Sequence, residues 1–152
     1  MDPTKKELYT AKRPSGLNTS NVDLQPAIDK LRSDEDPTNW LLLKVAGTSV
    51  VVHGFGADGL VGFSAALNDD DAYYGVIRCT VDGLVKFYHV YFVGQNMSGM
   101  KKGKASMYKS AIFSMVDGQG EISCAGGMEE YSADFLVANI AKLGKSEKVE
   151  GL

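Results

Sequence analysis

Two runs of β-branched and aromatic residues, Tyr73 to Val81 and Leu84 to Val93, meet at Asp82-Gly83. That dipeptide accepts the positive φ angles of a tight two-residue turn, and its flanks favour a pleated, packed surface, so the two runs form an antiparallel hairpin. Alternation along the second run puts Lys86, Tyr88, Val90 and Phe92 on one face and Phe87, His89, Tyr91 and Val93 on the other. Both faces are mainly apolar. A sheet built on this hairpin needs cover on two sides, and the rest of the chain has to supply it.

The flanking segments do. Pro26 suits the first turn of a short helix reaching Arg32, with Ile28 and Leu31 facing inward. Trp40 to Ala46 and Ser49 to His53 form a second hairpin about Gly47-Thr48, and Leu60 to Leu67 a short helix closed by Asn68 and Asp69 to Asp71. From Gly99 to Met115 the period turns helical, with Met100, Gly103, Met107, Ala111 and Ser114/Met115 as the stripe expected to face the sheet. Glu121 to Cys124 is a short strand, and Ala133 to Leu143 a last amphipathic helix through Phe135, Leu136, Ile140 and Leu143. The order predicts an α+β fold, a sheet of about five strands flanked by helices on both faces. Residues 21–143 make the one domain, residues 1–20 a mobile polar tail, and residues 144–152 a polar C-terminal tail.

A chain of 152 residues closes one core unaided, so a monomer is expected. It has no apolar run near the ~20 residues of a membrane span and no secretory leader, which predicts a cytoplasmic protein without integral membrane association. Cys79 and Cys124 are far apart in apolar strands and read as reduced packing residues.

Catalytic and cofactor motifs fail on context. Gly54 to Gly59 spells G-x-G-x-x-G, but after a hairpin strand, not in a parallel βαβ unit. Ser98 to Ala105 approaches a P-loop, yet Ser98 replaces its first glycine and Ala105 the hydroxyl that would hold magnesium. His53 and His89 lie inside strands, Asp69 to Asp71 lack calcium-loop spacing, and no Ser or Cys sits in a nucleophile signature. The aromatics near lysines do not share one exposed face in the pattern an RNA-binding sheet needs. We therefore expect no enzyme, no cofactor, no metal and no nucleic-acid partner.

Charge gives the positive signal. The formal net charge is −3, but between Gly83 and Val116 there are five lysines, Lys86, Lys101, Lys102, Lys104 and Lys109, and no acid, leaving 11 basic against 19 acidic residues elsewhere. Three of these lysines fall in the first two turns of the long helix, where the helix dipole favours carboxylates by roughly 0.3–1 kcal/mol each. Local stability does not select them. Ser98 is placed as the N-cap, and Lys101 stands where a glutamate would complete a capping box. The segment reads as an anion-attracting surface for an acidic protein, with phosphoinositide head groups a weaker complement.

Val85 to Ile112, VKFYHVYFVGQNMSGMKKGKASMYKSAI, resembles the actin-depolymerising-factor/cofilin homology domain, and within it the coactosin branch. Gly94-Gln95-Asn96-Met97-Ser98-Gly99 is the most specific part, element order agrees from about Asn21 to Leu143, and Trp40 matches a first-strand tryptophan. The resemblance implies a mixed central sheet and actin binding through the long helix and adjacent strand, without catalysis. By position, Lys86 matches the strand lysine of coactosins, Lys102 and Lys104 the basic pair opening the long helix, and Lys109 a further helix lysine. Lys101 adjoins that pair. The expected function is binding to the side of actin filaments in the cytoplasmic cytoskeleton. The alternatives are monomeric actin or another cytosolic protein on the same fold, and, remotely, a small nucleotide-binding enzyme.

Overall fold

The computed structural model describes residues 16–146 and 148–152. Its elements run α1 (Leu24–Arg32), β1 (Trp40–Ala46), β2 (Ser49–Gly56), α2 (Leu60–Ala65), β3 (Ala72–Val81), β4 (Leu84–Val93), α3 (Gly99–Phe113), β5 (Glu121–Cys124), α4 (Ala133–Gly144) and β6 (Val149–Glu150). The sheet order is β2-β1-β3-β4-β5, with β6 paired to β3. It is mixed because β4 and β5 run parallel while the other pairs are antiparallel. A parallel neighbour requires a crossover, and α3 is that crossover.

The β3–β4 hairpin has an unbroken register from Ala72↔Val93 to Val81↔Leu84, turning on Asp82 and Gly83 at φ 53° and 82°. One face, with Tyr73, Ile77, Tyr88, Val90 and Phe92, packs under Phe63 of α2 and Leu136 and Ile140 of α4. The other, with Tyr74, Val76, Phe87, Tyr91 and Val93, is covered by Leu24, Ile28 and Leu31 of α1 and Ile112 and Phe113 of α3. The sheet is covered on both sides, as its composition requires.

Three features differ from the sequence reading. The long helix is rotated: Ala105, Ile112 and Phe113 are buried, whereas Met100 and Met107 point outward. Ala105, Tyr108 and Ile112 repeat at i, i+3 and i+7, so they form a competing apolar stripe, and contacts from distant parts of the chain choose between the two. The Tyr74 hydroxyl donates to the Ala105 carbonyl at 2.6 Å, and His89 stacks on Phe113 at 4.3 Å between ring centroids.

At the C-terminus, residues 144–152, expected as a polar tail, carry a sixth strand, Val149–Glu150, pairing with Val81 and Thr80 of β3. Leu152 packs against the α2/α4 side of the core. The expected N-terminal tail, 1–20, extends into the described residues from Gly16. There Leu17 is buried, the Asn18 N–H donates to the Thr48 carbonyl at 2.7 Å, and the Val50 N–H donates to the Asn18 carbonyl at 2.9 Å. Residues 1–15 lie outside the described residues.

Candidate protein-binding surface

A short latch fixes where α3 begins. The Gly94 N–H donates to the Asp71 carbonyl at 2.9 Å, and the Asn96 N–H to the Asp69 carbonyl at 2.8 Å. Asp69 Oδ1 accepts from the N–H groups of Gln95 and Met128, at 3.2 and 2.8 Å, and Asp70 Oδ1 from Asn96 Nδ2 at 2.9 Å. A Cβ on Gly94 would stand 2.3 Å from the Asp69 carbonyl oxygen, so the chain approaches too closely there for any side chain. The three aspartates thus do more than end α2: they hold the Gly94–Ser98 junction. Ser98 then caps α3, its hydroxyl accepting from the Lys101 N–H at 3.2 Å.

This orientation gives α3 an outward ridge. Met100 is 77% exposed and Met107 62%. At about 100° per residue the two lie within about 20° of each other, with Gly103 about 40–60° away on the same side. Among the described residues a Cβ on Gly103 would meet nothing within 4 Å, so no contact there requires that glycine. Alanine there would stabilise an isolated helix by roughly 1 kcal/mol.

The lysines form three separate groups. Lys101 and Lys104 line a groove of about 460 Å³ whose other wall includes Thr48, Asp70 and Asp71. Lys102, half-buried, and Lys109 lie toward the opposite flank of the helix. Lys109 is already engaged: its Nζ is 2.8 Å from Glu121 Oε2 and 5.1 Å from the Tyr91 ring centroid. Lys86 pairs in register with Cys79 and shares the alternation of Tyr88 and Val90, which places it on the α2/α4 face, opposite α3. Among the described residues, Lys86, Lys101, Lys102 and Lys104 form no ion pair with a carboxylate. The single cationic patch suggested by the sequence is therefore split between two flanks of α3 and a separate lysine near the hairpin tip, where Leu84 and Val85 are also exposed.

The sequence reading missed the methionine ridge and the apolar hairpin tip. One signal for the ridge was present: a glycine interrupts the proposed buried stripe at Gly103, where a packed helix would gain from a side chain.

The glycine-rich and histidine motifs are structural. The Trp40 indole N–H donates to Asp58 Oδ1 at 2.8 Å, and a Cβ on Gly56 would lie 2.8 Å from that indole nitrogen. His53 Nε2 is 2.9 Å from the Ala66 carbonyl oxygen, and His89 Nε2 is 2.6 Å from that of Val116. Cys79 and Cys124 are buried free thiols. Burial pushes Cys79 up to about 11, with Lys86 opposing; burial, then the Glu130 charge, pushes Cys124 up to about 12.

The family profile of cofilin/tropomyosin-type actin-binding proteins matches residues 16–138. The chain belongs to this family, which is defined by actin binding and not by catalysis. Coactosin of Dictyostelium discoideum is 24% identical over 110 residues, covering 68% of this chain and 75% of that protein. Human coactosin-like protein is 23% identical over 122 residues, covering 78% and 85%. The drebrin-like protein of Mus musculus is 25% identical over 130 residues, and there the chain spans only 30% of the relative's length. Among solved structures, human coactosin-like protein superposes with a TM-score of 0.74 at 21% identity, covering 83% of this chain and 98% of that one. Coactosin from Entamoeba histolytica gives 0.70 at 22%, covering 87% and 96%. These likenesses agree with the coactosin-type resemblance and with the mixed α+β architecture.

Proposed function

We propose that this protein binds actin in the cytoplasm, along the side of filaments, by docking the outward face of α3. The observation that carries the reading is the ridge: Met100 and Met107 exposed on either side of Gly103, with Lys101, Lys102 and Lys104 nearby and free of carboxylate partners among the described residues. Exposed apolar residues rimmed by charge mark interaction surfaces. Gly103 forms a saddle that lets a partner's main chain approach closely. The lysines then steer and orient an acidic partner. Lys109 contributes less, because Glu121 already holds its ammonium group.

The filament preference rests on a second surface. Leu84, Val85 and Lys86 stand at the hairpin tip, away from the ridge, and two separate surfaces suit a partner that presents two subunits. A mouse coactosin of similar fold, with a TM-score of 0.65, is described as an actin filament binding protein. Phosphoinositide head groups are a weaker competing ligand for the lysines.

Cosedimentation with filaments at rising salt tests the proposal. Binding is expected at low salt and should weaken as exposed charge pairs are screened over about 8–10 Å. Lys102→Glu/Lys104→Glu should remove the protein from the pellet while its circular dichroism stays unchanged. Protein left wholly in the supernatant at low salt excludes filament binding, and gel filtration with monomeric actin then decides the monomer alternative. Unchanged pelleting of the double variant moves the site away from α3.

A further inference from the structure

The ridge has a chemical property beyond being apolar: its two large side chains are thioethers. Met100 and Met107 are far more exposed than Met128 at 38%, while Met97 and Met115 are half-buried against the α1/α3 core. A peroxide ordinarily reacts first with an accessible thiolate. Here that competitor is withdrawn, because both cysteines are buried and their thiols are held well above the ordinary value near 9. Trp40 is buried as well. The most accessible oxidisable groups among the described residues are therefore the two that form the proposed docking face.

We propose that Met100 and Met107 are a paired, peroxide-sensitive modification site whose oxidation releases the partner bound at α3. In each step the thioether sulfur attacks one oxygen of a hydroperoxide and the O–O bond breaks. That oxygen stays on sulfur as the sulfoxide, and the other leaves as water from hydrogen peroxide or as an alcohol from an organic hydroperoxide. Sulfur loses two electrons and the peroxide gains them. The product side chain is polar and chiral where the reactant was apolar, and reductases specific for each sulfoxide epimer reverse the change. On the ridge the new oxygen points outward, toward the surface that docking would desolvate, and burying it unpaired opposes association. The fold should be little affected, since neither side chain belongs to the buried core.

The release part of this inference rests on the actin reading, and the experiment separates the two. Native protein is treated with limiting hydrogen peroxide, sulfoxides are located by peptide mass spectrometry, and filament cosedimentation is run before and after. The expected result is oxidation of Met100 and Met107 ahead of Met97, Met115 and Met128, with affinity about tenfold or more weaker and an unchanged melting temperature. Saturation with filaments should protect both residues. Met100→Leu/Met107→Leu removes both thioethers while keeping the ridge apolar; whatever its affinity before treatment, that affinity should be the same after peroxide. Equal or earlier oxidation of the other methionines overturns the site. Full affinity after complete oxidation of both residues overturns the release, as does peroxide sensitivity that persists in the double leucine variant. A native chain that does not pellet before peroxide refutes filament binding and, with it, release from filaments; the mass spectra still decide the modification site.

Discussion

Gly94→Ala probes the latch that places α3. Gly94 lies in ordinary φ space, so a substitution there meets steric resistance without conformational strain. The added methyl would stand 2.3, 2.4 and 2.8 Å from the oxygen, carbonyl carbon and Cα of Asp69, where ordinary contact begins at 3.4 Å. The obstacle is backbone, so the two loop segments must separate by at least 1.1 Å (3.4 − 2.3) at this point. Two hydrogen bonds cross the same gap, Gly94 N–H to Asp71 at 2.9 Å and Asn96 N–H to Asp69 at 2.8 Å. A displacement of that size stretches them to nearly 4 Å, beyond useful range. Their loss costs about 1–3 kcal/mol together, and the residual overpacking another 1–3. A net loss of about 3 kcal/mol lowers the melting temperature by roughly 6–12 °C in a chain of this size. Thermal denaturation followed by circular dichroism measures it, and hydrogen exchange at the Asn96 amide should accelerate. Gly99→Ala is the control, because its Cβ meets nothing within 4 Å among the described residues and it opens α3; its melting temperature should stay level or rise. If Gly94→Ala melts within about 2 °C of the native chain, the latch is not rigid and the steric argument fails.

Gly103→Ala should stabilise the chain by roughly 1 kcal/mol, a rise of about 2–4 °C, yet weaken filament binding by occupying the saddle; undiminished binding in cosedimentation would mean that no partner approaches there. Tyr74→Phe removes the hydroxyl that donates to Ala105, and a loss of about 1 kcal/mol in denaturant titration is expected. No loss would show that the hydrogen bond does not help to seat α3. Alkali should destabilise the fold. Above the ordinary thiol value near 9 an unfolded chain releases protons that buried Cys79 and Cys124 still hold, so stability present below pH 9 drains as pH rises toward about 11 and 12. The buried tyrosines Tyr73, Tyr74, Tyr88, Tyr91 and Tyr131, also raised by burial, act in the same direction. Melting curves from pH 8 to 11 should show the decline, and Cys79→Ala/Cys124→Ala should flatten part of it; an identical slope in that variant would remove the thiols from the account.

Much of the architecture was legible because its signals are local. Asp82-Gly83 fixed one turn, the β-branched and aromatic run after it fixed β4 at the ends the structure gives it, and Ser98 set the cap of α3. Alternation likewise separates Lys86 from Phe87 and His89. The latch was visible only in part: its glycine could be read, but its aspartate partners lie some 25 residues earlier and act through backbone carbonyls that every residue carries.

By itself, then, the sequence determined the segments of α1 to α4 and β1 to β5, that both faces of the sheet must be covered, and that basic groups accumulate along one stretch. Turn chemistry and side-chain period are properties of neighbouring residues and need no distant partner. Only the tertiary structure decided which way α3 turns, that Lys109 is held by Glu121, that Lys86 stands across the sheet from the other lysines, and that β6 joins β3. The two candidate stripes of α3 have nearly equal apolar character, so its own residues leave the rotation open. Tyr74 and His89 settle it from the sheet, and the methionines face outward as a result.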